Sequence, residues 1–212
     1  MRMWDVFMLV DTLLPTGGFA LSHGLETQVQ NGQVTTTRDL ERSLWTYARQ
    51  VMASEIPIYR RLRNTSDPEK ELRATQLVLD AWVMPQEVRQ ANLWQAQRLV
   101  KIVESTFAVS IDPGPLYQIQ AWAIVTRYLS IDEEHGVEAY LYKQLAEITS
   151  AAMRLMRCDS VQIVAALWRL REKLAAHHMN SDQSPREIAS ISPWLDIAQM
   201  QHENQSSRLF RT

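Results

Sequence analysis

Only six glycines occur in 212 residues, and four of them, Gly17, Gly18, Gly24 and Gly32, lie between positions 17 and 32. Glycine is costly inside a helix and useful where the backbone needs positive φ or a close approach. A chain that confines its glycines to one early stretch is therefore expected to be helical nearly throughout, with a single specialised loop near its start. Gly17 and Gly18 are placed for the sharp turn, Gly18 through a positive φ, and Gly32 after Asn31 reads as the end of a following helix.

The apolar spacing agrees. Thr36 or Thr37 caps a helix with Asp39 and Glu41 in its first turn, and Leu40, Leu44, Tyr47, Ala48 and Val51 recur on one face. Pro57 is expected to kink or interrupt it. Asp67-Pro68-Glu69 opens a second helix, Pro85 and Glu87 a third, and Asp112-Pro113-Gly114-Pro115 breaks the chain. Helical period resumes from Leu116 to Tyr128 and again from Asp132 to Ala152, and a last long helix covers about Val161 to Ala176. Asn180 to Ser192 is polar and reads as an exposed or mobile loop before a short C-terminal segment. No stretch alternates with period two for long enough to demand a strand. The expected fold is all-α, a single-domain helical bundle-like array over 1–192, with a C-terminal docking tail over 193–212.

Charge and composition remove several function classes. Lys+Arg 22 against Asp+Glu 24 leaves a net charge of -2, so no basic excess exists to hold a run of phosphates, which argues against nucleic acid. The longest uncharged stretch, Pro113 to Thr126, is shorter than the roughly 20 apolar residues of a membrane span, and no membrane contact is expected. One cysteine rules out an internal disulfide framework and fits a reducing, cytoplasmic compartment.

Catalytic constellations are missing from the pattern. The histidines His23, His135, His177, His178 and His202 form no HExxH, so no metal site is expected. The adjacent His177 and His178 rings point about 100° apart on a helix. Cys158 has Arg157 beside it but is opposed by Asp159. Asp132, Glu133 and Glu134 stand at a helix start, where the dipole favours acids without any acid-base role. Nor is there a phosphate-cradling glycine motif, and no cofactor is expected.

What remains is the segment Asp11 to Gly32. Pro15 stops the first helix, and Phe19 and Leu25 flank the polar Ser22 and His23. Two readings stand at this point: a well-packed turn between helices, and a rigid loop offered as a docking edge. The basic residues, 18 Arg against 4 Lys, and the seven Trp lean toward an interaction protein, since Arg and Trp are enriched at binding hot spots. Against that, Trp45, Trp82, Trp94, Trp122 and Trp168 lie on helices and are expected mostly to fill the core.

Leu14, Pro15, Gly17, Gly18, Phe19, Ser22, Gly24, Leu25 and Glu26 resemble the N-terminal signature of the UreF family of urease accessory proteins. His202, Glu203, Ser207, Arg208, Leu209, Phe210 and Arg211 are similar to that family's closing motif, and Glu87, Arg89, Ala91, Tyr140 to Tyr142, Ser150 to Ala152, Arg154 and Leu155 fall in its order between them. The family commonly has His before the first-motif Ser, where this chain has Leu21, with His23 following instead. Met156 to Asp159 stand where a Pro-x-Gly-Gln turn is usual.

The resemblance implies an all-α protein that is not an enzyme and acts in nickel insertion into apo-urease. It implies a homodimer that binds a UreD-type (UreH-type) accessory protein and, through that pair, recruits or regulates the UreG-type GTPase. Pro15, Gly17, Gly18, Phe19, Ser22, Gly24, Leu25 and Glu26 would then form the UreG-facing or dimer surface. His202, Glu203, Arg208, Leu209, Phe210 and Arg211 would dock on the UreD-type partner. Leu209 and Phe210 are apolar near a terminus and are expected to order only on that partner. The alternatives are a helical GTPase-regulating adaptor of another metalloenzyme and a helical enzyme with an unrecognised site; a regulator that inserts Arg208 or Arg211 into its partner's nucleotide site is a further class, compatible with the urease role.

Overall fold

Thr36 starts the longest helix through a reciprocal cap: its hydroxyl accepts from the Asp39 N–H, and the Asp39 carboxylate accepts from the Thr36 N–H. The computed structural model describes residues 3–83, 85–111, 114–180, 192–205 and 207–211, with the backbone alone at 177–180. Among the described residues there is no strand. The helices are α1 (Met3–Val10), α2 (Leu25–Gln30), α3 (Thr37–Asn64), α4 (Pro68–Trp82), α5 (Gln86–Phe107), α6 (Gln118–Tyr128), α7 (Glu133–Leu155), α8 (Ser160–Asn180) and α9 (Pro193–His202), with one turn of 3-10 helix at Gly18–Ala20. Asp112 and Pro113 of the expected breaker, and 181–191 of the expected polar loop, lie outside the described residues.

The helix starts follow the sequence signals. Asp67 caps α4, with Pro68 in the first turn, and Asp132 caps α7 by accepting from the His135 N–H at 3.0 Å. The neighbouring Glu133 and Glu134 reach across to Arg60 of α3, so the acidic run both caps one helix and pins it to another. Pro57 does not interrupt α3, contrary to expectation. It removes one backbone donor, but Ile56, Ile58, Tyr59 and Leu62 on either side of it are buried, and that packing keeps the helix continuous to Asn64.

The core is centred on α6, which is buried on almost every side and packs against α3 and α5. α3 is also covered by α7 and α8; α1 and α2 lie on α7, and α9 lies on α2 and α5. Trp122 is the largest fully buried side chain and donates its indole N–H to the Gly136 carbonyl at 2.9 Å. Tyr59, also enclosed, is hydrogen-bonded through its hydroxyl to Thr126 Oγ1 at 3.2 Å. Trp168 departs from the expected core role: it is 65% exposed and lines an open groove between α7 and α8. Trp45 and Trp82 are half-buried against the core, and Trp94 is half-buried away from it, beside Gly17. No described helix is long and apolar enough to cross a membrane.

Gly136 sits where a Cβ would fall onto the Tyr59 hydroxyl, so close approach selects glycine there although helix propensity favours alanine by about 1 kcal/mol. Gly136→Ala is expected to destabilise the fold by about 2 kcal/mol, overpacking outweighing propensity. Urea unfolding of the variant at neutral pH measures this, and a stabilised variant would show that the Tyr59 ring yields freely.

Candidate functional site

The glycine loop is built against three long helices. Gly17 has φ +85°, and a Cβ on it would fall inside the Trp94 ring of α5. Gly18 does not need the left-handed region, which corrects the sequence reading; there the constraint is space, since its Cβ would fall on the Glu147 carboxylate of α7. Gly24, at φ +83°, turns the chain into α2.

Beneath the turn lies a polar cluster that joins α3, α7 and the loop. His23 pairs through Nε2 with Glu147 Oε2 at 2.9 Å and through Nδ1 with the Tyr47 hydroxyl at 3.0 Å. Lys143 binds the other Glu147 oxygen, and Tyr140 donates to Glu55. Burial pushes the Glu147 carboxyl up, but the Lys143 ammonium and the His23 hydrogen bond outweigh it and hold the group at about 2. Burial raises the half-buried Glu55 above the ordinary carboxylate range and the Tyr47 and Tyr140 hydroxyls well above theirs. The imidazole that follows Ser22, rather than preceding it, is thus the strut between the loop and the α3–α7 seam.

The tail folds onto this loop within the same chain. Glu26, in the first turn of α2, accepts from the Leu209 N–H at 2.7 Å, from the Phe210 N–H at 3.1 Å, and faces His202 Nε2 at 3.0 Å. The other His202 nitrogen meets Glu87 of α5 at 2.8 Å, and Arg208 closes on the same Glu87 carboxylate. Gln205 donates to Thr27, and the Arg211 N–H donates to the Ala20 carbonyl at 2.9 Å. Arg154 of α7 lies between two rings, 4.0 Å from the Phe19 centroid and 4.2 Å from that of Phe210, and donates to the Phe19 carbonyl. Arg211 and Arg98 both stand over Trp94. Leu209 and Phe210 therefore have an ordering surface in the chain itself, which the reading of an isolated, partner-dependent tail did not foresee.

The sequence-selected residues divide by exposure. Gly18, Ser22, Gly24, Leu25, Glu26, His202 and Phe210 are buried and hold the assembly together, and Gly17 and Glu203 are half-buried. Pro15, Phe19, Arg208, Leu209 and Arg211 are exposed, with Phe19 and Leu209 each 62% open to solvent. Lys143 and Glu147 carry no signal in the sequence, and Tyr47, Trp94, Glu87 and Arg154, though noted there, gave no sign of these roles. Glu147 and His23 are 124 residues apart, and no local pattern marks such a pair. Chemically, the buried charges are paired and the apolar and cationic tips face out, an arrangement that fixes a recognition surface. A second apolar face runs between α7 and α8, where Tyr142, Met153, Val164 and Trp168 line a groove of about 680 Å³.

The model of the family described as UreF matches residues 34–171. The chain is 27% identical to the urease accessory protein UreF of Corynebacterium efficiens, over 99% of this chain and 96% of that protein. It is 26% identical to that of Bacillus sp. (strain TB-90), over 99% and 98%, and 28% identical to the urease accessory protein F of Arabidopsis thaliana, over 98% and 91%. The glycine loop and the tail lie outside the stretch matched by the family model, but these relatives align over nearly the whole chain.

The Glu147 carboxyl predicts acid sensitivity. Its folded value of about 2 lies below the ordinary 4.5, so its contribution is complete above about pH 4.5 and is lost as pH falls toward 2. Urea unfolding across that range should show the wild type losing on the order of a few kcal/mol more than Glu147→Gln. Parallel acid limbs in the two proteins would contradict the assignment.

Proposed function

This chain belongs to the UreF family of urease accessory proteins, and from that premise we propose that it is a non-catalytic adaptor in nickel insertion into apo-urease. It works in the cytoplasm as a homodimer, joins a UreD-type (UreH-type) protein, and through it recruits and regulates a UreG-type GTPase, with nickel as cargo. The observation that carries this reading is the union of the two terminal segments: Glu26 and Phe210, 184 residues apart, are hydrogen-bonded, and the loop and tail present one face.

Pro15, Phe19, Arg208, Leu209 and Arg211 are the exposed members of the two segments, and the Arg154 guanidinium stands against the Phe19 ring, an aromatic beside a cation, the composition of a binding hot spot. The UreD-type partner docks there. Arg208 is engaged by Glu87 and Arg211 stands over Trp94, which favours docking contacts over insertion of either arginine into a nucleotide site. The exposed apolar side chains of α1 (Trp4, Phe7 and Met8) and the α7–α8 groove leave further area for the second copy and the GTPase.

Size-exclusion chromatography with light scattering tests the assembly, using this chain alone, with a UreD-type protein, and with a UreG-type GTPase plus nucleotide. A binary complex and a nucleotide-dependent larger one are expected. Deleting 204–212 should leave helical content intact and abolish co-elution with the UreD-type partner. Phe19→Asp, on an exposed site, should weaken binding at least about tenfold, a loss of about 1.4 kcal/mol or more. Unchanged co-elution of both variants would remove the loop and tail from the docking face.

A further inference from the structure

Three exposed guanidiniums stand where the loop meets the tail: Arg98 of α5, Arg154 of α7 and Arg211. None of them has a carboxylate partner among the described residues; aromatic rings hold them instead. Arg154 lies between Phe19 and Phe210 and donates one terminal nitrogen to the Phe19 carbonyl at 2.7 Å. Arg98 and Arg211 share the Trp94 ring, each 5.4 Å from its centroid, so their charges lie within about 11 Å of each other, close to the screening length at physiological salt. The patch is continuous. Trp94 abuts Gly17, the Arg211 N–H donates to the Ala20 carbonyl, and Phe19 and Phe210 close on the same guanidinium.

The carboxylates that border the patch are engaged within the chain. Glu147 holds His23 and Lys143, Glu26 holds the Leu209 and Phe210 amides, and Glu87 holds His202 and Arg208. Like charges held this close repel, and nothing in a chain of net charge -2 makes such a gathering of unpaired cations a matter of composition. A ring over the face of a guanidinium leaves its N–H edge for an acceptor, and that fork matches a carboxylate or a phosphate. Two observations favour carboxylates on a protein. The acidic net charge opposes a polyanion at long range, and Leu209, exposed one residue before Phe210, offers nothing to a phosphate chain.

We propose that Arg98, Arg154 and Arg211 form a docking site for an acidic, partly apolar segment of a partner protein. Its carboxylates take the guanidinium edges, and its apolar side chains cover Phe19 and Leu209, each 62% exposed. The rings fix the three guanidiniums in advance, which lowers the ordering cost of binding. That the UreD-type protein supplies the segment rests on the docking role proposed above; the acidic chemistry does not.

The full-length chain alone tests the chemistry, by calorimetric titration with a short synthetic peptide of alternating Asp and Leu and with its Asn-for-Asp counterpart. The Asp peptide should bind at least about fivefold more tightly at low salt and lose that advantage in about 500 mM NaCl. Arg98 is held by its ring contact alone among the described residues, so Arg98→Gln changes the charge without opening the fold. Arg98→Gln and Arg154→Gln should each weaken the Asp peptide at least about threefold and leave the Asn peptide unchanged. Equal binding of the two peptides would overturn the proposal, as would tighter binding of inorganic phosphate or a short single-stranded oligonucleotide than of the Asp peptide. Co-elution with the UreD-type protein is read separately. Its absence counts against the docking role and leaves the peptides to decide the chemistry, whereas a complex indifferent both to salt and to Arg98→Gln contradicts the acidic site.

Discussion

One buried carboxylate joins the two ends of the molecule. Glu26 stands in the first turn of a six-residue helix and gathers the His202 ring and two consecutive tail amides. Desolvating such a group is tolerable only because every contact it makes is to a donor, and charge-assisted hydrogen bonds of this kind are the strong ones. Without it α2 would hold the tail only through side chains such as Gln30 and Thr27, and the Phe210 amide that sets its ring beside Arg154 would lose its acceptor. The constraint also runs outward: Glu87 completes the bracket around His202 and ties the tail to α5.

α7 is the second support. Lys143, Glu147 and Arg154 are spaced by four and seven residues, which puts them along one side of the helix facing the glycine turn. Lys143 and Glu147 neutralise one another where the loop's His23 comes down, and Arg154 rises between the two aromatic rings. The glycines are needed for this closeness. Side chains at 17 and 18 would occupy the space of Trp94 and Glu147, so the loop lies flat on α5 and α7. A loop so fixed presents Phe19 to a partner without the ordering cost of a flexible one.

The helices were legible because their signals are local. Thr36, Asp67, Pro68 and Asp132 cap or open helices where their residue types predict, and the apolar spacing of α3 to α8 gives the buried faces. Pro57 failed as a breaker because packing on both sides outweighs one missing donor, and Trp168 failed as a core residue because α8 buries Ile163, Ala166 and Leu170 and leaves Trp168 on an open groove. The importance of the glycine loop could be read from composition, but not its partners. Glu147 and the His202 bracket depend on contacts across more than a hundred residues, and Trp94 on one with the distant Gly17, which periodicity cannot carry. The charged and apolar members of the tail motif looked alike in sequence, and only burial separates those that hold the surface, such as Phe210, from those that form it, such as Leu209.

A double-mutant cycle on Glu26→Gln and His202→Gln, read by urea unfolding, tests directly whether the buried carboxylate and the ring hold each other. If the buried carboxylate and the ring hold each other and the tail, the two single losses should fail to add by about 2 kcal/mol, because either change alone already breaks the contact between them. Additivity to within about 0.5 kcal/mol would mean that the two groups act independently and that the ends of the chain are joined by something else.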